Sequence, residues 1–559
     1  MHLLNKYVPR TEFESYEDFK KNYTVTVPEG FNFAYDIIDE WAKMDPKKPA
    51  LVWRDDFGNE ERYTFHDLML MSNRAANMLL DKGIGKGDKV MLILKQRVEV
   101  WVTILALHKI GAVVIPASFQ LTKKDIVYRC DAAEIKMLVV VDDDEVIKHV
   151  GESVADCRTL IGVGVVGKNI PAFEGMPEGY VFDYRNDIKN YSDELERIPN
   201  KTSDEMLIYF SSGTTGMPKM LLHDYAYPLG HIVTAKYWQC VEDGGLHLTQ
   251  SDSGWAKFGW GKIYGQWICG AVIVAYDTEK FVPHQMLSTM RDLKLTTFCA
   301  PPTLYRFLLR EEDVENYELN NIHHFCTAGE ALNPDVIERL RGLTGHEIYE
   351  GFGQSEGTVL IANFPWMKVK PGAMGKPSPI YNIDIVDDNM NSCEDGIVGR
   401  VVIRDVDKYH PPGLIREYYR DEEAQNKAFY NGCYDTGDTA WRDSDGYFWY
   451  VGRSDDIIKC SGYRIGPFEV ENALHTHPSV MECAVTAAPD PIRGQVVKAT
   501  IVLAPGFEPS DELKKDIQNH VKRVTAPYKY PRIVDFVKEL PKTTSGKIRR
   551  VEIRNKDSK

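Results

Sequence analysis

The sequence predicts an α/β protein: a large N-terminal part of helix-covered sheets, followed by a small α+β unit. Three observations carry this. From Asn32 onward, apolar runs of strand length alternate with amphipathic segments of helix length, the pattern of a largely parallel sheet with helices on its faces. The alternation resumes between Leu246 and Phe352, which predicts a second sheet of the same kind. At Gly452-Arg453-Ser454-Asp455-Asp456 the pattern changes, placing a domain boundary at Asp455 and dividing the chain into residues 1–454 and 455–559. At 559 residues the chain exceeds what one core covers, so three or four lobes are expected.

Taken in order, the first thirty residues read as an irregular, aromatic-containing extension. Phe65 to Lys82 is amphipathic and helical, and Lys89 to Leu94 is a strand run. Val98 to Lys109 returns to helical spacing before the strand run Gly111 to Pro116. Met206 to Phe210 reads as the end of a buried strand. Thr358 to Ile361 is β-branched strand, and Thr439 to Val451, short, aromatic and punctuated by Asp and Gly, is strand and turn.

The formal net charge of −15 argues against a nucleic-acid surface. Basic residues nevertheless crowd the C-terminal stretch, from Lys514 to Arg550, either as a solvated face or as a site for anions. The ten cysteines show no CxxC or His-rich spacing, which fits free thiols in a reducing cytoplasm. Met1 to Phe19 has no apolar core of a secretory signal. Its acids Glu12, Glu14, Glu17 and Asp18 argue against a mitochondrial presequence. No apolar run approaches the length of about eighteen residues that a membrane span needs.

The chemistry concentrates in a few loops. After the Met206–Phe210 run come Ser211, Ser212, Gly213, Thr214, Thr215, Gly216, Met217, Pro218 and Lys219. Hydroxyls, side-chain-free backbone N–H groups and one cation are what a polyphosphate needs, although a polar surface loop has the same composition. No GxxxxGK[ST] sequence occurs. Two other motifs are decoys. Gly162 to Gly167 matches GxGxxG but leads into Pro171 with no helix to receive a pyrophosphate. Gly353-Gln354-Ser355-Glu356-Gly357 matches the GxSxG hydrolase elbow but runs into strand where an elbow needs a helix, so a serine hydrolase stays only as an alternative.

Further along stand Tyr349 to Glu356, Tyr434-Asp435-Thr436-Gly437-Asp438, Gly452 to Asp456, and Pro541-Lys542-Thr543-Thr544-Ser545-Gly546-Lys547. With the Ser211–Lys219 loop, this ordered set resembles the adenylate-forming superfamily of acyl-CoA synthetases, luciferases and peptide-synthetase adenylation domains. The resemblance runs from about Tyr63 to Arg550 and is closest to the medium-chain acyl-CoA synthetases. It implies an N-terminal adenylation domain with a β-barrel-like lobe and a mobile C-terminal domain turning on a hinge at Asp455. It also implies a two-step reaction: a carboxylic acid and ATP give an acyl-adenylate and pyrophosphate, and CoA then displaces AMP.

By the same resemblance, Ser211, Ser212, Gly213, Thr214, Thr215, Gly216 and Lys219 hold the β- and γ-phosphates, and Thr214 with Glu356 ligates Mg²⁺. Gly329, Glu330, Glu350, Gly351, Phe352, Gly353, Gln354 and Ser355 line the nucleotide slot. Asp438 receives the ribose hydroxyls, Arg453 contacts ribose or phosphate, and Lys547 neutralises charge during adenylation. Ser461, Gly462, Tyr463 and Arg464 form the pantetheine passage, and Arg493, Lys522 and Arg532 meet the CoA phosphates. His477 is either a cation ligand or a satisfied surface histidine.

The implied acyl pocket lies between Trp255, Lys257, Trp260 and Gly353. Acetyl-CoA synthetases place a tryptophan where Gly353 stands, so glycine admits acids longer than acetate. Trp260 is expected to shorten or divert the tunnel toward short-to-medium, branched or ring-bearing acids. Lys257 either enters the tunnel or points to solvent with its stem on the aromatic wall. The partners are thus a carboxylic acid, ATP and CoA, with a homodimer allowed. Aryl or amino-acid adenylation and a non-catalytic nucleotide-binding relative are the alternatives.

Overall fold

A computed structural model of the protein describes residues 3–211, 217–329, 332, 334–460, 463–490, 493–542 and 548–557, with the side chains of 334, 335, 463, 464 and 557 outside that description. Among the described residues the strands form four sheets. One has eight strands. Its parallel part runs through Lys89–Ile93, Val113–Pro116 and Glu205–Ser211, and one edge ends on the antiparallel pair Lys219–Asp224 and Glu417–Tyr418. The second has nine strands, with Leu246–Thr249, Val272–Asp277, Thr297–Cys299, His324–Ala328 and Ile348–Gly353 parallel at its centre. Pro49–Asp55 joins this second sheet, beside Val272–Asp277, although it precedes every strand of the first in sequence.

Local chemistry sets the helices between these strands. The Phe65–Asp81 helix starts on a capping box in which the Thr64 hydroxyl accepts from Asp67 N–H and the Asp67 carboxylate receives Thr64 N–H. The Glu99–Ile110 helix is buried from Val100 onward and stops at Gly111, whose φ of 73° suits a residue without Cβ. Gly162–Val166 is itself a strand, and a Cβ on Gly164 would stand 2.7 Å from the Phe182 ring. Those glycines therefore serve side-chain packing in a sheet.

The N-terminal stretch departs from the irregular extension expected. Ser15 caps a helix over Tyr16–Asn22 by accepting from Asp18 N–H, and the Tyr16 hydroxyl donates to Pro377 O at 2.9 Å. Phe13, Phe19 and Tyr23 pack on Tyr237, while Phe13 and Phe19 also meet Trp366. Aromatic burial, absent from a residue-by-residue reading of this stretch, makes it part of the main core.

The third sheet, antiparallel, holds Ile383–Val386, Gly399–Ile403, Cys433–Arg442 and Phe448–Arg453. It stands where the barrel-like lobe was expected. The fourth begins at Ile458–Cys460, directly after the exposed turn that contains Asp455, and is completed by Tyr463–Ile465, Val480–Asp490, Gly494–Leu503 and Ile533–Phe536. The C-terminal unit docks on the third sheet through Phe468, edge-on to Tyr450 at 5.3 Å. Gly466 lies so near Val451 that a Cβ there would stand 2.2 Å from its carbonyl oxygen. His477 is buried, its Nδ1 paired with the Ser479 hydroxyl at 2.8 Å and its Nε2 with Asp516 at 3.2 Å. It is a satisfied histidine, but not a surface one.

Glu471 anchors the end of the chain. Its buried carboxylate receives Arg550 Nη2 at 2.7 and 2.8 Å and Val485 N–H at 2.8 Å. A Lys542–Ile548 bridge and Arg549 N–H to Pro541 O close the base of the segment between them, which carries Lys547. Replacing Glu471 by Gln leaves the guanidinium without its counter-charge, at a cost of about 3 kcal/mol. We expect faster hydrogen exchange in Pro467–His475 and Arg550–Asp557 with the parallel strands unaffected; unchanged exchange in both helices would contradict the anchoring role.

Candidate active site

The site forms where the second sheet ends against the third. After Ile348–Gly353 the chain turns through Gln354 to Gly357 and returns as Val359–Ala362. Gln354 crosses the gap: its Nε2 donates to Thr436 O at 2.8 Å and to Asp438 Oδ2 at 2.5 Å, and its Oε1 receives the Tyr434 hydroxyl at 2.9 Å. Asp438 faces Arg453 in the antiparallel register, with Nη1 3.7 Å from Oδ2, and Oδ1 receives the Tyr450 hydroxyl at 3.0 Å. Arg453 also donates to Thr436 O at 3.1 Å. Burial pushes the Asp438 carboxyl up to about 6, against the opposing pull of Arg453, Tyr450 and Gln354. The carboxylate is thus ionised at neutral pH, within a ring of donors that orients both oxygens.

Ser211 and Lys219 are register partners at the mouth of the hydroxyl-rich loop. Lys219 Nζ lies 5.0 Å from the centre of the Tyr418 ring, and the Tyr418 hydroxyl donates to Glu356 Oε1 at 3.3 Å. One tyrosine therefore brings together the cation and the carboxylate that the family resemblance assigns to phosphate and metal. Ser212, Gly213, Thr214, Thr215 and Gly216 lie outside the described residues, as do Glu330, Ser461, Gly462 and Lys547.

Phe352 lies 5.9 Å from the Tyr450 ring. Burial pushes Glu350 up to about 8, so this carboxyl is protonated at neutral pH and offers an O–H donor. Gly329 has φ 104° and open space where a Cβ would stand. Ser355 sits in the turn, where His223 Nε2 meets its carbonyl oxygen at 2.9 Å. Burial holds that imidazole down at about 3, and no helix follows the serine, so the hydrolase alternative is not built.

Gly351 and Gly353 present the other face of their strand to two tryptophans. A Cβ on Gly351 would stand 2.5 Å from Trp238, and one on Gly353 would stand 2.2 Å from Trp260 Cη2 and 2.4 Å from Thr358 O. Trp260, on the Ala256–Gly261 helix, is buried and T-shaped to Trp238 at 6.2 Å. The space that Gly353 leaves is therefore filled by the Trp260 indole. Trp255 precedes this helix as its cap residue. Lys257 does not point to solvent: it donates to Ala328 O at 3.1 Å, beside Gly329.

In the C-terminal unit, Tyr463 and Arg464 pair with Cys460 and Lys459 across a hairpin. Lys522 Nζ and Arg532 Cζ lie 4.0 and 4.9 Å from the centre of the Tyr530 ring. Arg493 stands apart from them, before the Gly494–Leu503 strand, its N–H donating to Asp490. Sequence reasoning missed Tyr418, Tyr450 and Trp238. Tyr450 has a signal, since it lies in the strand that pairs with Asp438 across a hairpin, whereas Tyr418 and Trp238 have none.

The model of the AMP-binding enzyme family matches residues 38–419, and that of the AMP-binding enzyme C-terminal domain matches residues 469–547. The chain belongs to the AMP-binding enzyme family. A curated relative, acyl-coenzyme A synthetase ACSM3, mitochondrial, of Mus musculus, is 41% identical over 554 residues, covering 98% of this chain and 94% of the relative. Among solved structures, the anthranilate CoA ligase AuaEII in complex with anthranoyl-AMP matches with a TM-score of 0.85 at 28% identity, covering 95% of this chain and 98% of that one. A Brucella canis acyl-CoA synthetase matches with a TM-score of 0.73 at 29% identity, over 98% and 99% of the two chains. The synthetase described here shares their mixed α/β architecture.

Within it, Gly353 has no room for a side chain, because its closest neighbour besides Trp260 is backbone. Gly353→Ala forces the Gly353–Glu356 turn to shift at a cost of about 1–3 kcal/mol. Acid-dependent AMP formation should fall at least tenfold with every acid; unchanged kcat/KM would mean that Trp260 yields instead.

Proposed function

We propose that this AMP-forming acyl-CoA synthetase activates a short-to-medium carboxylic acid, branched acids included, beside the Trp260 indole. The observation that carries the choice of acid is the packing of Trp260 on Gly353, which fills the space beside that strand with a ring supplied from the Ala256–Gly261 helix. In the first step a carboxylate oxygen attacks the α-phosphorus of ATP and pyrophosphate leaves. In the second, the CoA sulfur attacks the acyl carbon and AMP leaves. Neither step needs a protein nucleophile; both need positioning and positive charge.

Asp438, held by Gln354 and Tyr450, suits a ribose diol, and Phe352 with the protonated Glu350 suits adenine. Lys219 suits the phosphates, and Arg453, beside Asp438, suits ribose or phosphate. Glu356, with Thr214, would hold Mg²⁺, which neutralises phosphate charge when bound. A single carboxylate fits a hard ion coordinated mainly by phosphate oxygens. The Lys522–Tyr530–Arg532 stack suits a CoA phosphate. We assign residues 1–454 to adenylation and 455–559 to a unit that turns at Asp455, bringing Lys547 to the first step and Ser461–Arg464 to the second. Amino-acid adenylation is disfavoured because the pocket stretch carries Lys257 where an amino group needs an acid. Ten free cysteines support a reducing compartment, and the cytoplasm is our assignment.

AMP release from ATP and Mg²⁺, with and without CoA, across acids from acetate to decanoate plus branched and aromatic ones tests this reading. CoA-dependent release, strongest for short-to-medium or branched acids, is expected, and no release with any acid would refute it. Lys547→Ala should remove acyl-AMP formation yet spare the reaction of preformed acyl-AMP with CoA; equal loss of both halves would refute the division of labour.

The pH dependence has a definite sign. Below about 6, Asp438 takes up a proton and loses an acceptor oxygen, so AMP affinity should fall as pH drops through that value. Asp438→Asn should bind AMP more weakly and without this inflection. Calorimetric titration from pH 5 to pH 8 checks both, and a wild-type profile flat across pH 6 would exclude Asp438 as the group responsible.

A further inference from the structure

Around Trp260 the protein buries polar groups that find no hydrogen-bond partner among the described residues. His231, on the Tyr227–Ile232 helix, is fully buried with both ring nitrogens unmatched. The Trp260 ring lies 6.4 Å from it between centroids, and the indole N–H is buried and equally unmatched. Gln266 donates its amide N–H groups to Gln239 Oε1 at 2.6 Å and Trp260 O at 2.9 Å, which leaves Gln266 Oε1 and Gln239 Nε2 unmatched. Each such atom costs about 1–3 kcal/mol, and native interiors hold few of them. A cluster on contacting residues points to a molecule that supplies the missing partners.

The chemistry of the cluster narrows what that molecule is. Burial keeps the His231 imidazole neutral, so one nitrogen donates and the other accepts. The Trp260 indole adds a donor. A hydroxyl, which donates to the accepting ring nitrogen and accepts from the indole N–H, or a carbonyl oxygen, which takes the two N–H donors, partners two of these atoms, whereas a hydrocarbon end leaves every atom unmatched. The cluster borders the acyl pocket because Trp260 is the same ring that packs on Gly353.

We propose that the acid this enzyme selects carries an oxygen function, a hydroxyl or a carbonyl, on the end remote from its carboxylate, received by His231 and the Trp260 N–H. The inference rests on the acyl-CoA synthetase reading and deepens it: His231 becomes a residue that sets specificity. A site built to bond a substrate hydroxyl discriminates strongly against the analogue lacking it, far more than an apolar pocket discriminates by one methylene.

The test measures kcat/KM for CoA-dependent AMP release by the full chain with matched acids: pentanoate, 5-hydroxypentanoate and 4-oxopentanoate, then 3-methylbutanoate and 3-hydroxy-3-methylbutanoate. The expected result is at least a tenfold advantage for an oxygenated acid over its parent in one of the two sets. His231→Leu should abolish or reverse that advantage while improving use of the parent acid. Trp260→Phe removes the N–H together with part of the ring that packs on Gly353, so parent and oxygenated acids both gain room; the ratio between them should still fall several-fold, and this ratio serves if the histidine variant does not fold. Equal or poorer use of every oxygenated acid, with the parents turned over well, would overturn the proposal and leave an ordered water only in the cluster. No AMP release from parent or oxygenated acids alike would instead bring down the synthetase reading on which it rests.

Discussion

The arrangement of the site depends on one contact, the Gln354 side chain laid across the gap between two sheets. It ends the parallel sheet, donates to the Thr436 carbonyl and the Asp438 carboxylate, and accepts from Tyr434. Asp438 then pairs across its hairpin with Arg453, and Arg453 directly precedes the turn that leads into the C-terminal unit. Because each of these groups is buried or half-buried, none is replaced by water without cost. The nucleotide slot, the third sheet and the connection to the last unit are therefore held in one hydrogen-bonded chain.

Charge inside the site is set by burial more than by neighbours. Glu350 is desolvated and kept protonated, while Asp438 is desolvated but surrounded by Arg453, Tyr450 and Gln354 and stays ionised at neutral pH. Two carboxyl groups on strands of different sheets thus offer opposite hydrogen-bonding roles, one donating and one accepting. His223, close behind the turn at Ser355, is held neutral by the same desolvation. The serine within the GxSxG sequence gains no base here because His223 meets its backbone carbonyl oxygen and desolvation makes the imidazole a weak proton acceptor.

The wall beside Gly353 is made by an exchange of volume between distant segments. Gly353 leaves room on its strand, and Trp260 occupies it from a short helix whose neighbouring Lys257 is tied to the Ala328 carbonyl. The space at this point of the fold is thus a property of the pair: neither the glycine nor the tryptophan defines it alone. The same indole carries an unmatched N–H, and its ring lies 6.4 Å from that of His231 between centroids.

The sequence by itself determined the α/β alternation, the helices over Phe65–Asp81 and Glu99–Ile110, the two parallel sheets and the order of the chemical loops, because periodicity and turn residues are local properties. It also singled out Asp438, Glu356 and Lys219 as candidates, through the resemblance that the ordered loops carry. Other features were decided only by the tertiary structure. Pro49–Asp55 leaves its sequence neighbours for the second sheet, and the N-terminal helix packs its aromatics into the core, because long-range apolar burial outweighs local preference. Tyr418 comes between Lys219 and Glu356, and Trp260 comes to rest on Gly353, through contacts between segments far apart in the chain. Such pairs have no period and no motif; they exist only once close packing has brought the surfaces together.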